Sequence, residues 1–384
     1  MTIFGLVAAI TFSASSGAPT PLYRFYQDGF GLSALLLTMI FAAYAFSLLA
    51  ALLTVGSLSD HIGRRPVIFA ALILNAVAML MFIEADSAAT LIAARMVQGF
   101  ATGAATTSLG AAILDTNRAR GPLFNSITAF AGLTLGNLGS GALVAFAPAP
   151  AQLIYALLLA ASALEALVLW QMPETAAGRP GALASLRPQV SVPAQARQTL
   201  LAVTPVNIAA WALGGFYLSL MPSLVRVATG LVSPFIGGFV VATLTFSAAV
   251  AVVLFRNFSA AVTLAAGTVA LAAGVAITLP GVHMQQAPLL LLGTVVAGFG
   301  LGSSFSGTVR TVLPLATAAE RAGLLSTLYV ECYLAFSLPA VLAGLLAPVL
   351  GLPLSADIYG TVIILLAMTS LIAARAARNG ARQR

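Results

Sequence analysis

Twelve apolar runs follow one another along this chain, each close to the length of a membrane-crossing helix. They lie near residues 2–22, 33–55, 66–84, 88–114, 122–147, 151–171, 199–220, 231–254, 259–279, 287–311, 322–348 and 355–374. A bilayer core takes about 20 apolar helical residues to cross. Twelve crossings in 384 residues leave 32 for each crossing with its loop. The chain is 60% hydrophobic and 7% charged, against about 25% charged in ordinary soluble domains. Ten acidic and seventeen basic residues cannot cover a water-facing surface of this size. Lipid is therefore the expected solvent for most of it. Backbone in lipid must satisfy its own hydrogen bonds, so the runs are expected to be helices. A transmembrane β-barrel would alternate apolar and polar residues in short strands; these runs are continuously apolar. Residues 1–22 are as apolar as a signal peptide, but they lack its basic leader and further spans follow. They read as the first crossing.

All seventeen basic residues are arginine. A nucleic-acid binder would gather such charge on one soluble face. Here the arginines stand one to three at a time between apolar runs, which sets topology instead. With the N-terminus inside, the cytoplasmic segments hold Arg64, Arg65, Arg118, Arg120, Arg179, Arg187, Arg197, Arg256, Arg321, Arg375, Arg378, Arg382 and Arg384. Only Arg24 and Arg226 fall on the other side, and Arg95 and Arg310 lie within spans. Thirteen against two puts both termini in the cytoplasm and supports an even number of crossings. Cys332 is the only cysteine, which excludes an intrachain disulfide and a cysteine metal site.

The longest polar connection, 172–198, carries Pro173, Pro180, Pro188 and Pro193. It reads as a linker between an N-terminal half, 1–171, and a C-terminal half, 199–374, with a basic tail at 375–384. The halves look related. Val97-Gln98-Gly99-Phe100-Ala101-Thr102-Gly103 matches Val296-Ala297-Gly298-Phe299-Gly300-Leu301-Gly302 at an offset of 199. Gly31-Leu32 recurs as Gly230-Leu231 at the same offset. Repeated halves are the usual build of secondary transporters.

The loop between the second and third runs reads Gly56-x-Leu58-x-Asp60-x-x-Gly63-Arg64-Arg65. Its glycines allow a tight reversal. Asp60 suits a neighbouring helix N-terminus, and Arg64 or Arg65 is expected to reach Asp115 at the end of the fourth run. In residue types and spacing this segment resembles the loop 2–3 signature of the major facilitator superfamily. The resemblance implies an all-α integral membrane protein with twelve transmembrane helices in two pseudo-symmetric six-helix halves. It places Asp60 beside the eleventh helix, near Arg321, and makes the charge cluster a gate that locks one conformation.

Arg95 stands about seven residues into the fourth span, roughly 10 Å deep. A central arginine costs at least ~2.5–3.5 kcal/mol on insertion scales, so it must face a cavity or a partner. Gln98, Gly99, Thr102 and Thr106 continue its face. Arg95-x-x-Gln98-Gly99 resembles a helix 4 signature associated with proton transfer in antiporters; the alternative is an arginine that caps carbonyls of adjacent helices. Gly132-x-x-x-Gly136-Asn137-x-x-Ser140-Gly141 has the spacing that lets membrane helices touch. It resembles the helix 5 signature of bacterial drug/proton antiporters, with Asn137 where they normally carry proline.

Glu331, about eight residues into the eleventh span, is the expected coupling acid, because burial favours its neutral form. Arg310, on a stripe with Ser303 and Ser306, is either part of the same coupling set or a structural partner of Glu331. Glu165, nearer the cytoplasmic end of the sixth span, is a weaker candidate. Tyr44, Asn207, Trp211, Tyr217, Tyr329 and Tyr333 are candidate cavity residues suited to an apolar or amphipathic cargo. Gly17, Pro19 and Pro21 suggest a broken end to the first span. His283 is expected to be solvated in an outer loop.

No Walker-type phosphate loop is present, and two histidines placed in loops do not make an enzyme. The expectation is a monomeric, cofactor-free secondary transporter of a bacterial-type plasma (inner) membrane, exchanging protons for a small amphipathic or drug-like molecule by alternating access. The partners are the small-molecule substrate, the proton and membrane lipid. An uptake symporter or facilitator of a sugar or metabolite is the alternative. A non-transporting receptor or scaffold would need a larger soluble segment.

Overall fold

A computed structural model describes residues 1–382 apart from 232, 318 and 319, with side chains described as far as residue 373. The side chains of the basic tail at 375–384 lie outside the described residues. No strand occurs among the described residues. The chain divides into two compact units. Unit 1 comprises Met1–Gln189 with Val232–Ala242, and unit 2 comprises Val190–Leu231 with Thr243–Arg384.

Unit 1 contains α1 (Thr2–Gly17), α2 (Pro19–Phe30), α3 (Ala34–Thr54), the single turn α4 (Ser59–Ile62), α5 (Arg64–Ile83), α6 (Ala88–Thr116), α7 (Gly121–Phe146), α8 (Leu153–Leu169) and the short α9 (Ala182–Ser185). Unit 2 contains α10 (Ala194–Ser219), α11 (Met221–Thr229), most of α12 (Pro234–Leu254), α13 (Ala260–His283), α14 (Ala287–Val312), α15 (Arg321–Leu350) and α16 (Leu352–Arg382). Among the described residues, ten helical segments are long and apolar enough to cross a membrane, with α1 and α2 counted as one. The shorter α8 and the more polar α6 complete the twelve expected crossings. Many outward side chains are large and apolar, among them Leu135, Leu167, Phe246 and Leu342, as lipid contact requires.

The helix starts follow from ordinary capping. Ser33, Ser87 and Ser259 precede α3, α6 and α13, and each hydroxyl accepts the N–H of the third residue on. This answers one of the donors a helix leaves open at its N-terminus. The repeated Gly31 and Gly230 end α2 and α11 at φ 64° and 71°, the left-handed conformation that stops a helix and favours glycine. The first span is not broken where its prolines suggested. Ala18 keeps helical dihedrals, and Pro19 begins α2, where its fixed φ suits the first helical turn. The helical path therefore runs on to Phe30.

The two units repeat one packing scheme. In unit 1, α5 packs on α6 and α8, and α1 packs on α7; in unit 2, α13 packs on α14 and α16, and α10 packs on α15. The glycine repeat is where backbones meet. A methyl on Gly99 would fall 2.3 Å from the Tyr44 carbonyl oxygen, and one on Gly103 2.6 Å from that of Leu48. On Gly298 and Gly302 it would fall 2.4 and 2.2 Å from the oxygens of Leu244 and Ala248.

Gly302→Ala should therefore lower the melting temperature of detergent-purified protein, by about 1–3 kcal/mol of overpacking. Gly139→Ala, with nothing near the added methyl, should be neutral or stabilising, because alanine is the better helix former. Equal effects at the two positions would show that the close approach at Gly302 does not constrain the fold.

Candidate functional site

Proline chemistry in the first span organises the buried polar groups of unit 1. Pro19 has no N–H, so the Ser15 carbonyl four residues earlier loses its helical donor. Gln98 supplies one: its Nε2 donates to the Ser15 oxygen at 2.7 Å. Arg95 donates to the Ser16 carbonyl at 3.1 Å, to Gln98 Oε1 at 2.7 Å and to the Tyr23 hydroxyl at 2.9 Å. Its guanidinium also lies 4.6 Å from the Tyr44 ring centroid, a cation–π contact that strengthens in a dry site. Arg95 is 1% exposed, and among the described residues it has no acidic partner. The Tyr44 hydroxyl donates to Ser16 Oγ, so Tyr44 is a wall of this cluster and not a cavity contact. Beside it, Gly132 and Gly136 meet the backbone of Ile10 and Ala14, Asn137 donates to the Leu133 carbonyl, and Ser140 Oγ donates to the Ala18 carbonyl. Gly141 meets residues 234–238, which pack with the same unit.

The charged loop forms a second cluster at the arginine-rich end of unit 1. Arg64 pairs with Asp60 of its own turn and donates through Nε to Asp115 Oδ2 at 3.2 Å. Asp60 thus meets Arg64 within unit 1. Gly63 holds φ 98° and ψ 156° just before α5, a conformation essentially confined to glycine. Leu58 supplies the carbonyl that closes the α4 turn, and Gly56 lies against the Leu52 carbonyl. Arg65 turns away, donating to the Trp170 carbonyl at 2.9 Å with its guanidinium 4.9 Å from the Trp170 ring.

Glu174 in the linker completes this cluster, and sequence reasoning missed it. Its carboxylate accepts the backbone N–H of Arg64 at 2.8 Å and of Arg65 at 3.0 Å, the place where a helix N-terminus favours an anion. The available signal was an acid just past the sixth span with a helix start lacking a side-chain cap. Next to it, Thr175 Oγ donates to Asp115 at 3.1 Å and Arg179 N–H to the His61 carbonyl at 2.8 Å. The His61 ring meets the Pro180 carbonyl at 3.1 Å, and Ser57 donates to Ser185. The first half of the linker is a strap laid on the charged loop. Burial pushes the Glu174 carboxyl up, but the N–H groups of Arg65, Ala176, Arg64 and Thr175 outweigh it and hold it below its ordinary range.

In unit 2, Glu331 on α15 is half-buried. Thr204 donates to one of its oxygens at 2.8 Å and Asn207 to the other at 2.8 Å, both from α10. Asn207 also reaches the Cys332 sulfur at 3.3 Å. The Trp211 ring lies 5.2 Å from Tyr333, 5.3 Å from Phe305 and 5.8 Å from Phe336, and Tyr329 is 6.4 Å from Tyr333. Asn207 Oδ1 and Trp211 Nε1 are buried without a partner. Of the candidate cavity residues, Asn207 meets the carboxyl, while Trp211, Tyr329 and Tyr333 form an aromatic group on α10 and α15. Tyr217 is elsewhere, ten residues along α10, with its hydroxyl 2.9 Å from that of Thr294.

Arg310 does not partner Glu331. Its guanidinium donates to the carbonyls of Phe255 and Phe258 and to Thr263 Oγ1, closing the loop between α12 and α13. His283 is not merely solvated: it lies 2.9 Å from Asp357.

Two predictions follow from the buried and the looped clusters. Gln98→Leu strands the Ser15 carbonyl and should cost about 1–3 kcal/mol in thermal unfolding; adding Pro19→Ala restores a backbone N–H and should recover most of that loss, whereas additive effects would deny the link. Glu174→Gln should speed proteolysis of the strap near neutral pH. Since the folded carboxyl titrates low, its anchoring is present above the ordinary carboxylate range and is lost as pH falls through the depressed value. Wild type should then become as sensitive as the variant, and a pH-independent difference would contradict the anchoring.

The chain matches the family model "Major Facilitator Superfamily" over residues 5–330. No curated protein sequence matches it. Among solved structures, the human organic anion transporter MFSD10 (TETRAN) is similar at TM-score 0.70 and 17% identity, covering 96% of this chain and 98% of that one. A mutant of the nucleoside transporter NupG is similar at TM-score 0.71 and 13% identity, covering 96% and 98%. The xylose transporter XylE from E. coli, in a partially occluded inward-open conformation, is similar at TM-score 0.72 and 16% identity, covering 96% and 95%. Identities this low establish a shared fold of two pseudo-symmetric six-helix halves. With the family model spanning most of its length, the chain belongs to the Major Facilitator Superfamily and is a multi-pass integral membrane transporter.

Proposed function

We propose that the chain is a monomeric secondary active exporter, working by alternating access and exchanging protons for a small amphipathic or drug-like molecule. The observation that carries this reading is Glu331. Both of its oxygens are met by neutral donors, and no described cation pairs with it. Its half-burial on a membrane-spanning helix without a paired cation favours the neutral, proton-bound form, and the Thr204 and Asn207 donors act in the opposite sense. Trp211, one helical turn along α10 from Asn207, packs with Tyr333 and Phe305, an aromatic group that supports a cargo with an apolar surface.

The remaining roles follow from the contacts. Asp60, Arg64, Arg65, Asp115 and the glycines of their loop act as a gate that Glu174 reinforces. Arg95 and Gln98 hold the first span in its Pro19 geometry, and Arg310 holds the α12–α13 loop. The excess of arginine on one side supports a cytoplasmic position for both termini, in what we take to be a bacterial-type plasma membrane. A second reading is uptake of a polar solute by symport or facilitation. It is favoured by the two structural neighbours named as nucleoside and xylose transporters, and opposed by the aromatic group on α10 and α15.

Cargo is identified first by a thermal-shift screen of purified protein against a compound library at two pH values. In everted vesicles, collapse of the proton gradient should then stop accumulation of that cargo. Glu331→Gln should abolish active transport while sparing exchange down a gradient. Movement indifferent to the proton gradient, or undiminished in Glu331→Gln, would remove the coupling assignment.

A further inference from the structure

A second buried carboxyl, Glu165 on α8, takes no part in the mechanism above. It is 8% exposed. Thr11 Oγ donates to its Oε1 at 2.6 Å, while its Oε2 is buried without a partner. One helical turn along the same faces, Asn75 of α5 donates through Nδ2 to Ser15 Oγ at 3.2 Å and to Ser162 Oγ at 2.9 Å. Asn75 is fully buried, and its Oδ1 also lacks a partner. Ser162 precedes Glu165 by three residues and Ser15 follows Thr11 by four, so the two rungs are neighbours. The cluster therefore holds two acceptor atoms with nothing to accept.

No cation offsets the carboxyl. The helices packed on α8 are α1, α5 and α7. Neither α1 nor α7 carries a titratable side chain. The charges on α5 are Arg64, held by Asp60, Asp115 and Ser59, and Arg65, held by the Trp170 carbonyl and ring. On α8 itself the other titratable group is Tyr155, bonded to Tyr26. An ionised carboxylate left unpaired in such a place costs several kcal/mol. One proton on Oε2 removes the charge and supplies the donor that the cluster lacks.

The fold does not require this cluster. At the repeat offset of 199, Thr11, Ser15, Asn75 and Glu165 correspond to Ala210, Gly214, Gly274 and Ile364. Ser162 corresponds to Thr361, so one hydroxyl is kept while the acid and the amide are replaced. A buried polar group that its structural twin omits is retained for something other than packing.

We propose that Glu165, with Thr11 and Asn75, is a proton-binding site of unit 1, separate from Glu331 and occupied in the conformation seen here. The site gives the transporter a second coupling group, one in each unit. The test uses full-length purified protein. Between the ordinary carboxylate range, where the unfolded chain loses its proton, and the pH at which the folded site gives its own up, wild-type stability should fall relative to Glu165→Gln. The fall should be about tenfold in the unfolding equilibrium per pH unit, the signature of one proton. Glu165→Gln carries its donor permanently and should keep the acid-side stability throughout. Above that window the two profiles should run parallel, with the wild type lower. Superimposable pH profiles would overturn the proposal, and so would stabilisation that depends on sodium and not on pH. Should Glu165→Gln fail to fold, infrared spectroscopy of Glu331→Gln at neutral pH decides. A protonated carboxyl band that moves when Asn75 is also replaced by leucine supports the site, and absence of the band overturns it. Because Glu331 is already removed there, failure of the Glu331 assignment reads out separately.

Discussion

A single backbone carbonyl, that of Ser15, shows the constraint on which much of unit 1 depends. In water an orphaned carbonyl costs little, because solvent accepts the role of donor. In lipid it must be met by another part of the protein. Pro19 removes the local donor, and Gln98 replaces it from a different helix. The sites next to it follow. Arg95 fixes Gln98 and the Ser16 carbonyl together, Tyr44 and Tyr23 line the guanidinium, and Ser16 returns its hydroxyl to Phe12. An arginine that would be expensive alone becomes the clamp that makes a proline-bent first span affordable. The same arrangement explains why no acid accompanies it: carbonyl oxygens, a side-chain amide and two aromatic rings already surround the charge.

The two units share a frame but not its polar contents. At the offset of 199, Glu331 corresponds to Gly132. In unit 1 that helix pair closes through glycine, with Gly132 and Gly136 against Ile10 and Ala14. In unit 2 the glycine moves to the other helix, where Gly215 meets the Phe336 backbone, and the end near Glu331 fills with Thr204 and Asn207. The reverse holds for the α1–α5–α8 cluster, whose Thr11, Ser15, Asn75 and Glu165 stand where unit 2 has Ala210, Gly214, Gly274 and Ile364. The loop contact is inverted as well. In unit 1 the loop supplies the cation, Arg64, and the long helix the anion, Asp115; in unit 2 the helix supplies Arg310 and the loop answers with carbonyls. Repetition preserved the geometry of the joints while chemistry diverged at each.

Sequence periodicity exposed what depends on local pattern. The crossings follow from the length of the apolar runs, and the repeated glycines of α6 and α14 lie where backbones touch. The Arg64–Asp115 pair was legible because so few charges exist that each has few partners. What escaped depends on folding distant segments together. Glu174 looked like any linker acid until the strap returned to the start of α5. Arg310 looked inward-facing on a helical stripe, but a long side chain near a helix end reaches back to the nearest loop carbonyls. Asn75 gave no signal, since one amide in an apolar helix has no pattern; its partners come from two other helices. Tyr44 and Tyr217 are buried with their hydroxyls bonded to Ser16 and Thr294, partners on other helices that helical spacing alone does not reveal.

Taken together, the placement of charge separates two kinds of group. The arginines of the membrane region carry a permanent charge and are tied to carbonyls, as Arg95 and Arg310 are. They set shape and have no second state to visit. The acids at the arginine-rich end of unit 1 face arginine or helix N–H groups, so their charge is matched where it stands. Glu165 and Glu331 differ from both. Glu165 is buried and Glu331 half-buried on apolar helices, each is met by neutral donors, and neither has a described cation paired with it. For such a group the charged and neutral states differ in what the surrounding side chains must do, and a proton becomes able to bias a conformation. A transporter needs sites whose occupancy changes the preferred state, and rigidly neutralised charges cannot provide them. On the reading proposed above, Glu165 and Glu331 are the groups whose occupancy can change, while Arg95 and Arg310 maintain the frame against which they act.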